Sequence, residues 1–140
     1  MVLGLDLGTK TLGVAINDPG TTFCHPLTTI RFKSSMVNTS LVVLKDIVKE
    51  HQVQVVALGY PLNMQGTESF MSRQVLAFKA LLETELGLKV VLIDERLTSI
   101  MANKNLRAAE ASLARRKECV DEVAACLILD TYLRSVNYEP

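Results

Sequence analysis

The chain reads as an α/β domain with a mixed, five-stranded sheet and helices on both faces. The first 30 residues hold three short apolar segments with turn residues between them, the pattern of an antiparallel meander. Two later segments, Val53–Leu58 and Leu88–Ile93, are almost continuously apolar and rich in valine, as strands covered on both faces are. Segments of helical period precede, separate and follow these two, so the last pair of strands is predicted to be parallel.

Each element has a local cause. In Val2–Leu7, period two puts Leu3, Leu5 and Leu7 on one face and Gly4 and Asp6 on the other. Gly8-Thr9-Lys10-Thr11 is a turn sequence, so Leu12–Asn17 folds back as a hairpin, and Pro26–Ile30 extends the meander. Val37, Leu41, Leu44 and Val48 recur at helical spacing, which predicts an amphipathic helix over about residues 37–50, with Asn38, Thr39 and Ser40 near its start. Gly59 and Pro61 are read as stopping the strand Val53–Leu58. Met71, Val75, Phe78 and Leu82 mark a second helix that Gly87 closes. The strand Leu88–Ile93 ends in Asp94-Glu95-Arg96, and Thr98 can cap a helix after it. Residues 103–117 have weak periodicity and many charges, so a frayed helix or a mobile loop is expected there. Val120, Val123, Leu127 and Thr131 form the inner side of a last helix that runs to about Leu133.

Length and composition narrow the function. The 140 residues suffice for one sheet-centred domain, predicted over 1–140, but not for two lobes around a cleft. Formal net charge is +0, so any phosphate binding must come from local clusters rather than bulk basicity. Cys24, Cys119 and Cys126 form no CxxC pair and are odd in number, and His25 and His51 are the only histidines, which argues against a disulfide framework and against nitrogen or sulfur ligation of a metal. No leader pattern or apolar run of membrane length is present, and a cytoplasmic protein without membrane association is expected.

Three acids occupy positions where the pattern predicts something else. Asp6 interrupts an apolar strand, where an ionised carboxylate costs several kcal/mol unless something positive neutralises it. Glu95 stands at a strand's carboxyl end, the edge where open α/β sheets hold ligands. Asp121 opens the last helix, and Ala124 and Ala125 leave room for that helix to approach the sheet. Ordinary roles compete for each: a lone buried acid, a strand-end pair with Arg96, and a first-turn acid favoured by the helix dipole. If the three converge, a carboxylate cluster without His or Cys suits a hard cation, Mg²⁺ or Mn²⁺, and therefore phosphoryl chemistry.

The stretches Gly4-Leu5-Asp6-Leu7-Gly8-Thr9-Lys10, Gly59-Tyr60-Pro61-Leu62-Asn63-Met64-Gln65-Gly66-Thr67, Asp94-Glu95-Arg96-Leu97-Thr98-Ser99 and Asp121-Glu122-Val123-Ala124-Ala125 together resemble the YqgF family, also called RuvX, in order and spacing. The resemblance implies a ribonuclease H-like fold, with three α/β/α layers, and puts Asp6, Glu95 and Asp121 at the positions of the family's acidic triad as metal ligands and catalytic residues. Its implied activity is metal-dependent phosphodiester hydrolysis leaving a 5′-phosphate and a 3′-hydroxyl. Maturation of the 5′ end of pre-16S ribosomal RNA is the role proposed for the family. Resolution of four-way Holliday junctions was proposed earlier and stands as the alternative. Many relatives in the superfamily carry a fourth acid, for which Asp18 and Asp94 are the candidates here.

Two further readings compete with the nuclease. The opening hairpin also resembles the phosphate-binding element of actin-like ATPases and sugar kinases, which need two lobes. A non-catalytic nucleic-acid-binding module would gain nothing from concentrated negative charge facing phosphates.

Basic residues near the triad complete the expectation. Lys10 in the first turn and Arg96 beside Glu95 are candidates for phosphate contacts, with a solvated turn lysine and a Glu95-orienting arginine as the alternatives. Arg115, Arg116 and Lys117 form the densest basic run and read either as a solvated face or as a substrate-contacting flap before Asp121. Gly59, Pro61 and Gly66 are read as turn residues beside the pocket, with Asn63 able to offer hydrogen bonds to substrate. The aromatic residues show no interleaving with basic ones, so no base-stacking platform is expected. Pre-rRNA or branched DNA is the expected partner, bound by a monomer or a homodimer.

Overall fold

The computed structural model describes residues 1–61, 69–95 and 120–137. Its sheet is built from β1 (Val2–Leu7), β2 (Thr11–Asn17), β3 (Cys24–Arg31), β4 (Val55–Tyr60) and β5 (Lys89–Asp94), in the order β3-β2-β1-β4-β5. The pairs β3/β2 and β2/β1 are antiparallel, and β1/β4 and β4/β5 are parallel, which is the mixed sheet predicted. Helices α1 (Ser40–His51), α2 (Phe70–Leu86) and α3 (Val120–Asn137) complete it, with a 3₁₀ turn at Val37–Thr39 before α1. The expected helix after Thr98 and the charged segment 103–117 lie outside the described residues.

The alternation in β1 sorts the molecule into three layers. Leu3, Leu5 and Leu7 pack with Leu12, Val14 and Leu58 of neighbouring strands, Leu44 of α1, and Val75, Phe78 and Leu82 of α2. The opposite face carries α3, through Ala125, Leu129 and Leu133 against Ala15, and through Ile128 against Ala57 and Ile93.

On the α3 face the strands are nearly stripped of side chains. Register aligns Ala15, Gly4 and Ala57 in one row, so α3 can lie close to the sheet. A Cβ built on Gly4 would run into the Ala125 carbonyl oxygen and stand 2.6 Å from Leu129 Cβ. Because the first obstacle is helix backbone, Gly4→Ala is expected to lift α3 and destabilise the fold by about 1–3 kcal/mol in urea unfolding. An unchanged midpoint would show that the close approach carries no stability.

Several boundaries shift from the sequence reading. The strand predicted at Val53–Leu58 runs instead from Val55 to Tyr60, so Gly59 does not end it. The bond from Val53 N–H to the Val48 carbonyl, at 3.0 Å, keeps Val53 in the turn that follows α1, where Gln52 adopts φ 53°. Gly59 and Tyr60 continue the parallel ladder opposite Ile93 and Asp94. The third strand begins at Cys24 and includes Pro26, which the edge of a sheet tolerates because its outer side makes no ladder bonds. Helix α3 extends beyond the predicted Leu133 to Asn137.

Candidate active site

The parallel strands β1, β4 and β5 all end on one edge, and the acids gather there. Asp6 lies on the α3 face of β1, half-buried, two residues beyond Gly4. Its neighbour in β2 is Gly13, and the β1/β4 register continued by one residue puts Gly59 on its other side. Asp6 therefore stands between two glycines, in a gap no other strand side chain fills.

Glu95 reaches this gap from the end of β5. A Cβ built on Gly59 would stand 2.5 Å from Glu95 Oε1 and 2.6 Å from Ile128 Cδ1, so the carboxylate lies over the glycine. Asp6 and Glu95 share a hydrogen bond across it. Burial, the Asp6 charge together with that hydrogen bond, and the charge of Asp94 push the Glu95 carboxyl from 4.5 up to about 8. The raised Glu95 value means that proximity to Asp6 disfavours two full negative charges at this place when no metal is bound. Gly59→Ala would displace Glu95 or Ile128; a loss of about 1–3 kcal/mol in stability is expected, with a larger proportional loss in kcat than in substrate affinity. Wild-type kcat in that variant would show that the position of Glu95 does not matter.

The third predicted acid belongs to α3, in the other layer. Asp121 occupies the second position of α3, the helix that the Gly4 row draws against the sheet. Its backbone stands at the end of α3 that the chain enters, and its side chain lies outside the described residues. Among the described residues no cluster of three His, Cys, Asp or Glu side chains forms. The pair Asp6–Glu95 nevertheless suits a hard divalent cation: two carboxylates in contact repel when ionised, and a cation would remove that repulsion. In the same row, beyond Gly13, Thr29 Oγ1 is buried with no hydrogen-bond partner among the described residues, so a further polar group fits there. Burial foremost pushes the Cys24 thiol up to about 11 and the Cys126 thiol up to about 12.

The remaining predicted residues divide. Asp94 ends β5 and its charge acts on Glu95, whereas Asp18 follows β2 at the opposite edge, bonded to His25 at 3.0 Å. Of the two candidates for a fourth acid, only Asp94 is near the pair. Lys10 is exposed in the β1–β2 turn, on the same edge as Asp6. Arg96, Arg115, Arg116 and Lys117, with Asn63 and Gly66, lie outside the described residues. Gly13 and Thr29 were missed in the sequence; the hairpin register, countable through the Gly8–Thr11 turn, places Gly13 opposite Asp6.

Comparison with known proteins bears on the family and the fold. The sequence profile of the family described as RuvX, Holliday junction resolvase, matches residues 1–135. A Bacillus subtilis protein named "Putative pre-16S rRNA nuclease" is 40% identical over 136 residues, 97% of this chain and 99% of that protein. A protein of the same name from Moorella thermoacetica is 41% identical, covering 94% of this chain and 93% of its own. Among solved structures, T. thermophilus RuvC in complex with Holliday junction substrate superposes with a TM-score of 0.67 at 14% identity, over 98% of this chain and 94% of that one. The Fowlpox virus resolvase complexed with Holliday junction DNA gives 0.52 at 14% identity, covering 99% of each chain. These two likenesses show the ribonuclease H-like fold. With the family profile spanning nearly the whole chain and relatives about 40% identical from end to end, the chain belongs to the RuvX family.

Proposed function

We propose that this protein is a divalent-metal-dependent endonuclease that processes the 5′ end of pre-16S ribosomal RNA. The observation that carries the reading is the Asp6–Glu95 contact at the carboxyl edge of the sheet, two acids brought together beside Gly59. Asp6, Glu95 and Asp121 would hold Mg²⁺ or Mn²⁺, which when bound supplies Lewis acidity toward a phosphodiester.

The chain's own groups then have separate tasks. Asp6, paired with Gly13 of β2 in the ladder, sets the position of the site, and Glu95 would supply the second carboxylate to a bound cation. The ammonium of Lys10 is free to meet a substrate phosphate on the same edge. Arg96 would clamp a phosphate in bidentate fashion, and Arg115, Arg116 and Lys117 would hold the strand before Asp121. Replacing the last three together is expected to weaken binding and flatten its salt dependence, and an unchanged salt slope would remove them from the interface. A role in ribosomal RNA processing would be carried out in the cytoplasm. No helix among the described residues is long and apolar enough to cross a membrane.

The relatives that share about 40% of their residues carry the ribosomal name, whereas the junction-bound neighbours share 14%, so RNA is preferred over four-way DNA. The test offers a pre-16S transcript and a four-way DNA junction side by side, with Mg²⁺, Mn²⁺ or a chelator. Cleavage of the transcript in either metal and its loss in chelator are expected. A resolved junction beside an intact transcript would transfer the site to branched DNA, and two intact substrates would overturn the enzymatic reading.

A further inference from the structure

A second cavity opens on the same edge of the sheet, across β1 from the acids. Asp6 faces α3, and Leu7, about 3.3 Å further along the strand, faces the other layer and lines a pocket of about 210 Å³. Only the end of β1 separates the two. The bond from Phe32 N–H to the Lys10 carbonyl, at 2.9 Å, ties the end of β3 to the β1–β2 turn and brings the Phe32 ring into the lining. Across from it stand the first two residues of α2, Phe70 and Met71.

The lining is divided by chemistry. Buried Leu7 and half-buried Phe32 and Met71 make it apolar within, while exposed Thr9, Ser34 and Gln74 place hydroxyl and amide groups at its mouth. No acid lines it. Lys10 and Lys33 are exposed in the two loops that contribute Thr9 and Ser34. Phe70 also lines the cavity yet is 66% exposed, a ring presented to whatever enters. An isolated exposed phenylalanine is unremarkable, but one at the mouth of an apolar pocket flanked by lysines is placed for stacking.

We propose that this pocket receives one unstacked nucleobase of the substrate strand, next to the phosphodiester that the Asp6–Glu95 site would cut. The inference rests on the nuclease reading and specifies its substrate: a strand single-stranded at the site of cleavage. The pocket is smaller than the roughly 300–1,000 Å³ that drug-sized ligands occupy, which suits one planar heterocycle and excludes a folded peptide segment. Phe70 and the apolar walls take the ring faces, the hydroxyls and Gln74 meet its polar edge, and Lys10 and Lys33 hold the flanking phosphates. A base paired within a duplex cannot enter, so an extended single strand is preferred over a continuous helix.

The test uses Asp6→Asn protein, which binds without cutting, and single-stranded oligonucleotides, as RNA and as DNA, that carry 2-aminopurine at one internal position moved stepwise along the strand. A fluorescence change confined to one register, lost in the added Phe70→Ala and Met71→Glu substitutions, is expected. Replacing that base by an abasic site should weaken binding about five- to tenfold, the scale of one stacked base. RNA and DNA responding alike would show that the pocket reads the base, and an RNA-only response would add the sugar to what it reads. A signal equal at all positions, or unchanged by the two substitutions, overturns the pocket. Because the readout is binding, it separates from the nuclease reading: metal-dependent cleavage indifferent to the abasic site leaves the nuclease and removes the pocket, and a register-specific signal in a protein that cuts nothing does the reverse.

Discussion

Asp6→Asn abolishes cleavage, by about 10²–10³-fold or more, the loss that follows removal of a charged group from a transition-state site. The same substitution leaves the metal-free fold no less stable, because it removes a half-buried charge while the amide oxygen can still accept a hydrogen bond from Glu95. Both halves matter. A variant that loses activity and also unfolds would indicate that Asp6 is part of the core and that its chemistry is incidental. Melting curves in chelator, recorded beside cleavage assays in Mg²⁺, separate the cases.

Metal-free protein gains stability as the pH falls from 8 toward 4.5. The Glu95 carboxyl lies at about 8 in the fold and at 4.5 in the free residue, so the folded state binds its proton more tightly than the unfolded chain does. The resulting stabilisation is complete below 4.5 and is lost as the pH rises through about 8. Mg²⁺ at one hundred times its dissociation constant restores about 2.7 kcal/mol, and because it displaces that proton its affinity rises with pH over the same window. Glu95→Gln flattens both dependences. Asp6→Asn flattens them less, since burial is the largest cause of the raised value and persists. Unfolding midpoints between pH 4.5 and 8.5, with Mg²⁺ and with chelator, check the sign; a chelated protein that grows more stable toward pH 8 contradicts it.

Much of the fold was legible because its signals are local. Alternation in Val2–Leu7 predicted the two faces of β1, and both faces are covered, one by α1 and α2 and the other by α3. The valine-rich segments were recognised as parallel strands, but Gly59 was misread as a terminator. Its role depends on Glu95, whose carboxylate occupies the space a side chain would take, and that contact spans two strands and 36 positions of sequence. The misplaced start at Val53 has a similar origin: a buried valine reads the same in a strand and in the turn before it. Asp6 stood out as an acid in an apolar strand, and Glu95 as an acid at a strand end. Their contact could not be read, because it follows from the β1-β4-β5 order, which the sequence leaves to tertiary packing. Of the two candidates for a fourth acid, Asp18 lies beyond the far end of β2, which an antiparallel hairpin carries away from Asp6.

The pocket across β1 was hidden for the same reason. Phe32 and Phe70 are 38 positions apart and show no interleaving with basic residues along the chain. The fold sets them on one cavity between the loops that carry Lys10 and Lys33. Linear patterns of aromatic and basic residues reveal a binding surface only when one element carries both.

The central claim is that Asp6 and Glu95 meet in order to share a divalent cation. A crystal grown with Mn²⁺ and measured at its absorption edge tests it most directly. Anomalous density between the Asp6 and Glu95 carboxylates, absent from a Glu95→Gln crystal grown alike, is the result the account predicts. The two carboxylates still joined by their proton at saturating Mn²⁺ and pH 8, with no density between them, would contradict it.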